Sequence, residues 1–157
     1  MKIMGSKLLM EIPLKTDYIR TEAARYCRKH NVTLARSLDA APINPLPAAR
    51  AFNWIAHTSP EAAQAFASNA LRAYWESNHQ LDQPEELIAA GRAVQVPELL
   101  LQEALGDPRI SASLRASVDD AIAKGVFGSP FIMVDGEPFF GVDKLKLVDE
   151  WLATGGW

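Results

Sequence analysis

The chain has 157 residues, 48% of them apolar and 22% charged, with 16 basic and 19 acidic side chains and a formal net charge of −3. That balance suits one globular domain. It excludes the basic stripe that nucleic acid demands, and no apolar run approaches the roughly 20 residues that span a bilayer. The first fifteen residues lack a continuous apolar segment and a small-residue cleavage site, so no signal peptide is expected. The single cysteine, Cys27, has no internal disulfide partner and fits a reducing, cytoplasmic compartment.

A helix is predicted from Thr16 or Asp17 to near His30, with Ile19, Ala23, Tyr26 and Cys27 on one face. Residues 32–35 read as a short extended piece. Residues 39–47 hold three prolines and exclude regular helix or central strand. Pro47 suits the first turn of a helix reaching His57. Ser59-Pro60-Glu61 is a helix start, and Ala62, Phe66, Ala70, Ala73 and Tyr74 then recur at helical spacing. Asp82-Gln83-Pro84-Glu85 has the form of a capping box, with Gly91 ending that helix. Pro97 opens the next helix and Gly106 closes it. Asp107-Pro108 opens another, with Gly125 at its left-handed end. Residues 16–124 are thus expected to be almost wholly helical.

The character then changes. Phe131-Ile132-Met133-Val134 is a β-prone run, Asp135-Gly136 favours a type I′ turn, and 138–140 return as the partner strand. Pro138 lacks a ladder donor and belongs on an edge. Gly141-Val142-Asp143 opens a last helix whose apolar face is Leu145, Val148, Trp151 and Leu152, with Leu147 beside it. A lone hairpin is marginal in water, and nothing upstream reads as a central strand. Part of a sheet is therefore expected to be absent, leaving Ile132 and Val134 uncovered.

The run Gly125-Val126-Phe127-Gly128-Ser129-Pro130-Phe131, then Val134-Asp135-Gly136-Glu137 and Phe139-Phe140-Gly141-Val142-Asp143, resembles the C-terminal signature of DsbA-like proteins. It looks most like the 2-hydroxychromene-2-carboxylate isomerases and kappa-class glutathione transferases. Ile12-Pro13-Leu14-Lys15-Thr16-Asp17-Tyr18 and Asn44-Pro45-Leu46-Pro47-Ala48-Ala49-Arg50 are similar to two further family segments. The resemblance implies an α/β, thioredoxin-like (DsbA-like) fold with a large helical insertion. The whole chain is expected to form one incomplete domain, helical over 16–124, with 1–15 and 125–157 as the remainder of the thioredoxin-like part. Relatives begin with a βαβ unit whose loop carries the catalytic Ser, or Cys-x-x-Cys in oxidoreductases. Met1 to Lys7 is too short to hold that unit, so the N-terminal half of the sheet is expected to be missing, and no catalytic residue is assigned.

By resemblance the cofactor is glutathione. Ser129-Pro130 is then a cis-proline loop whose Ser129 backbone pairs with the cysteinyl part; otherwise it is an ordinary loop proline. Asp143, with Val142 beside it, is equally a plain helix N-cap and a receptor for the γ-glutamyl ammonium. Lys15 reads first as a solvated charge, although the resemblance places it near the glycyl carboxylate. Asn44 makes local turn bonds or faces the substrate, and Arg50 reads as a structural partner. Cys27 reads as a small core residue, and His30, His57 and His79 lack metal-ligand spacing.

The activity implied is thiol addition, bond rotation and elimination on a small substrate of aromatic breakdown, in a protein that self-associates. The alternatives are a DsbA-like thiol–disulfide oxidoreductase and a non-catalytic module completed by another chain.

Overall fold

The computed structural model describes residue 5 and residues 9–157; the readings made on residues 1–4 and 6–8 lie outside it. The chain divides into two compact units, the first ending at Arg115 and the second covering Ala116–Trp157.

In the first unit a short 3-10 turn, Leu9–Glu11, precedes α1 (Lys15–His30). Then come α2 (Leu46–Thr58), α3 (Pro60–Glu76), α4 (Pro84–Arg92), α5 (Glu98–Gly106) and the start of α6 (Pro108–Ala123). The helix starts follow their local signals. The Ser59 Oγ accepts from the Ala62 N–H at 3.2 Å, and Pro60 follows where a missing N–H costs nothing. Asp107 caps α6 by accepting from the Arg109 N–H at 2.8 Å.

Helix α2 packs on α3 and α5, α3 on α4, and α4 on α5. Their shared core holds Ile55, Phe66, Leu87, Leu101 and Ile110, all essentially without solvent exposure. Each such burial contributes about 1.5–3 kcal/mol. Helix α1 contributes nothing to this core: it has no buried residue, and Cys27 is half-exposed rather than internal.

Three local expectations fail here for tertiary reasons. The capping box at Asp82 does not form. Gln83 is the N-cap without a side-chain bond, the Asp82 carboxylate accepts from the Asn44 N–H at 3.3 Å, and Glu86 accepts from the Gln80 N–H at 2.7 Å. Gly91 does not end α4. It is buried one residue before the end, where a Cβ would collide with the Leu101 side chain, so its smallness lets α4 and α5 approach. Residues 32–35 form no strand, and the Ala35 and Arg36 N–H groups both donate to the Trp75 carbonyl, at 2.9 and 3.1 Å.

The second unit holds the rest of α6, the hairpin β1 (Phe131–Val134) and β2 (Glu137–Phe140), a 3-10 turn at Val142–Lys144, and α7 (Leu145–Thr154). Gly125 has φ +77°, and the Val126 N–H reaches back to the Ala121 carbonyl at 2.9 Å, closing α6 as its sequence predicts. Asp135 and Gly136 both have positive φ, as a type I′ turn requires. The antiparallel register pairs Val134 with Glu137 and Met133 with Pro138. In a two-residue hairpin the closing pair is hydrogen-bonded, so the next pair is not. Pro138 therefore sits where β1 asks for no donor, and its missing N–H faces the outer edge of β2.

The exposed side of this hairpin is not the one expected. Ile132 and Val134 are half-buried on the face they share with Phe139, which meets the Trp151 ring of α7 at 5.9 Å. The Trp151 Nε1–H donates to the Asp135 carboxylate at 3.0 Å, fastening helix to turn. On the opposite face Met133 and Phe140 stay exposed, with Phe127 against Phe131 and Phe140 at 5.2 and 4.7 Å. Alternation along each strand puts a helix over one set of side chains and leaves the other set open.

Candidate functional site

The six residues singled out in the sequence fall into both units. Ser129, Pro130, Val142 and Asp143 belong to the second, and its geometry brings them together. The Ser129–Pro130 peptide is cis, as its sequence context predicts. The Pro130 carbonyl accepts from the Gly141 N–H at 3.1 Å, extending the hairpin ladder by one bond. That bond sets the proline loop beside the Gly141-Val142-Asp143 turn. Ser129, Pro130, Val142 and Asp143 are all solvent-exposed.

Asp143 is not the N-cap of the last helix. It lies inside the 3-10 turn, where Gly141 is the N-cap, and α7 continues directly from that turn. Its carboxylate bonds the Lys144 ammonium at 2.6 Å, and that bond holds the carboxyl below its ordinary pKa. Asp143 is thus an exposed, ionised acceptor. Gly141 makes room for it. With φ +108°, that position disfavours a side chain, and a Cβ there would collide with the Asp143 carboxylate.

Lys15 and Asn44 belong to the first unit. Lys15 is exposed at the first position of α1, without an ion pair among the described residues. Asn44 is exposed just before α2. Its Oδ1 accepts from the Leu46 N–H at 3.1 Å, the local turn bond its sequence suggests, and its own N–H is held by Asp82. Arg50 is half-buried on α2 and makes no ion pair among the described residues.

Two features of the first unit escaped the sequence. One is a cavity of about 360 Å³ walled by Leu38, Ala40, Ala41, Pro42, Tyr74 and Trp75. The other is a buried arginine, Arg36, under the Tyr74 ring. Of the histidines, His57 meets Ser113 Oγ at 3.0 Å and His79 lies 3.5 Å from Glu86. Among the described residues no cluster of three His, Cys, Asp or Glu could hold a metal, and no helix is long and apolar enough to cross a membrane.

A cis-proline loop feeding a β-hairpin, with a Gly-x-Asp turn beside it and helices inserted upstream, defines a thioredoxin-like fold of the DsbA type. The family described as DSBA-like thioredoxin domain matches residues 1–153, and the chain belongs to it. A solved structure titled 2-hydroxychromene-2-carboxylate isomerase superimposes with a TM-score of 0.76 at 17% identity, over 95% of this chain and 71% of that one. At that identity the likeness is one of fold. No curated protein matches.

Proposed function

We propose that this chain acts as a glutathione-dependent isomerase of the 2-hydroxychromene-2-carboxylate type. The observation that carries the reading is the Gly141 N–H to Pro130 carbonyl bond. It sets an exposed loop backbone and an exposed, ionised carboxylate side by side. These residues fit a zwitterionic thiol peptide. The Ser129 backbone, at the mouth of β1, pairs strand-fashion with its cysteinyl unit. The Asp143 carboxylate accepts from its ammonium, with the Val142 backbone alongside. The family resemblance alone assigns Lys15 to the glycyl carboxylate and Asn44 to the second substrate, and both residues belong to the first unit. Bound glutathione supplies the thiolate that adds to a conjugated ketone, permits rotation about the former double bond and leaves again.

Calorimetric titration with glutathione and an absorbance assay on 2-hydroxychromene-2-carboxylate test this together. Saturable binding is expected, weakened about tenfold by Asp143→Ala, the scale of one lost charge-assisted bond. Isomerisation that requires glutathione supports the proposal. Absence of glutathione binding sinks it, and disulfide exchange without isomerisation favours the oxidoreductase alternative.

A further inference from the structure

Arg36 lies in irregular chain between α1 and α2, yet it is only 5% exposed, the one charged residue buried among those described. Burying a guanidinium is costly unless its charge and donors are answered. Its partners are all neutral. Nη1 donates to Asn78 Oδ1 at 2.9 Å, Nη2 donates to the Ala41 carbonyl at 2.6 Å, and the guanidinium carbon lies 4.4 Å from the centre of the Tyr74 ring. Its own backbone N–H donates to the Trp75 carbonyl at 3.1 Å. One side chain thus grips the end of α3, the turn after it and the segment leading to Asn44.

An apolar side chain of similar size would fill the same space without burying a charge. What the guanidinium adds is a planar fork reaching acceptors on two segments while its face stacks on a ring, which an ammonium cannot reproduce. The far end of the gripped segment is tied to the same region, because the Asn44 N–H donates to Asp82 Oδ2 at 3.3 Å. Between the two ties run Leu38 to Pro42, which wall the cavity of about 360 Å³ with Tyr74 and Trp75.

We infer that Arg36 is a positioning residue: it sets the 37–44 segment, and through it Asn44 and the cavity wall, in the form that receives the second substrate. This rests on the proposed role of Asn44. Glutathione's contacts in the second unit are independent of it.

The experiment compares the parent chain with Arg36→Met and Arg36→Lys. Amide hydrogen exchange is read over residues 37–44. Affinity is read separately for glutathione and for 2-hydroxychromene-2-carboxylate. Arg36→Met is expected to speed exchange at Asp39, Ala40 and Asn44. It should weaken the chromene carboxylate about tenfold to a hundredfold, the scale of a positioned group displaced by about 1 Å, and leave glutathione unchanged. Arg36→Lys should recover part of that loss by keeping one donor bond. Unchanged exchange and affinity in Arg36→Met overturn the inference. So does an equal loss for both ligands with a lowered thermal midpoint, which marks a purely structural role. If the parent binds glutathione but not the chromene carboxylate, the substrate role of Asn44 falls. If the parent binds neither, the proposed function falls, and the exchange data alone decide whether Arg36 orders the segment.

Discussion

The two units are held together by different means. The first owns the five largest fully buried side chains, spread over α2, α3, α4, α5 and α6. The second has a single buried apolar residue, Val148. It relies on ring pairs (Phe127 with Phe131 and Phe140, Phe139 with Trp151, Trp151 with Trp157) and on the bond from Trp151 to Asp135. The helical unit has a closed apolar core, whereas the hairpin unit buries little and is held by ring contacts. Ser129, Pro130, Val142 and Asp143, four of the five residues proposed to receive glutathione, lie in the second unit.

The sharpest way to break this comparison is to hollow out the helical core. Phe66→Ala is expected to cost about 3–5 kcal/mol in chemical denaturation followed by helical circular dichroism. Next comes Gly141→Ala, which forces a side chain into positive φ and against the Asp143 carboxylate. It should cost roughly 1–2 kcal/mol by backbone strain and displace the carboxylate, so glutathione affinity falls with it. Trp151→Phe keeps a ring but removes the donor to Asp135. About 0.5–1.5 kcal/mol is expected, seen in hairpin amide exchange and not in the helical midpoint. If Trp151→Phe lowered the helical midpoint as much as Phe66→Ala, the two units would be one cooperative body.

The smallest effect concerns pH. Hydrogen bonds from Arg20, Arg109 and Lys144 lower the pKa values of Asp39, Asp107 and Asp143 respectively. A carboxyl lowered in the folded state adds stability above its unfolded pKa and loses it as pH falls through the folded value. Asp39 and Asp143 are exposed, and the half-buried Asp107 pairs with an exposed Arg109, so solvent screening keeps the contribution small. Denaturation midpoints should stay flat from pH 7 to about 5 and decline only below about pH 4, where carboxyls titrate. A decline starting near pH 6 would assign the effect to histidine instead.

Signals confined to a few adjacent residues were legible in the sequence. Ser59-Pro60 and Asp107-Pro108 start helices because cap and proline act within one turn. Asp135-Gly136 sets the hairpin because the turn needs two positive φ angles in a row. What failed depended on distant partners. Asp82 answers Asn44, 38 residues away, instead of capping α4. Gly91 looks like a helix end until Leu101 is packed against it. Arg36 carries no local pattern at all, since its acceptors come from Ala41 and Asn78. The absence of a central strand upstream predicts that Ile132 and Val134 stay uncovered, but the face they share with Phe139 meets Trp151 of α7, a cover that no local pattern announces.

Pro138 gives the hairpin a direction of growth. Its ring interrupts the outer rim of β2, while the outer rim of β1, Phe131 to Met133, runs uncharged and without proline. An incoming strand therefore finds a full set of docking groups on one flank and a blunted set on the other. Two such hairpins joined flank to flank would terminate in proline at both ends, which favours a finite pair over an open-ended fibre.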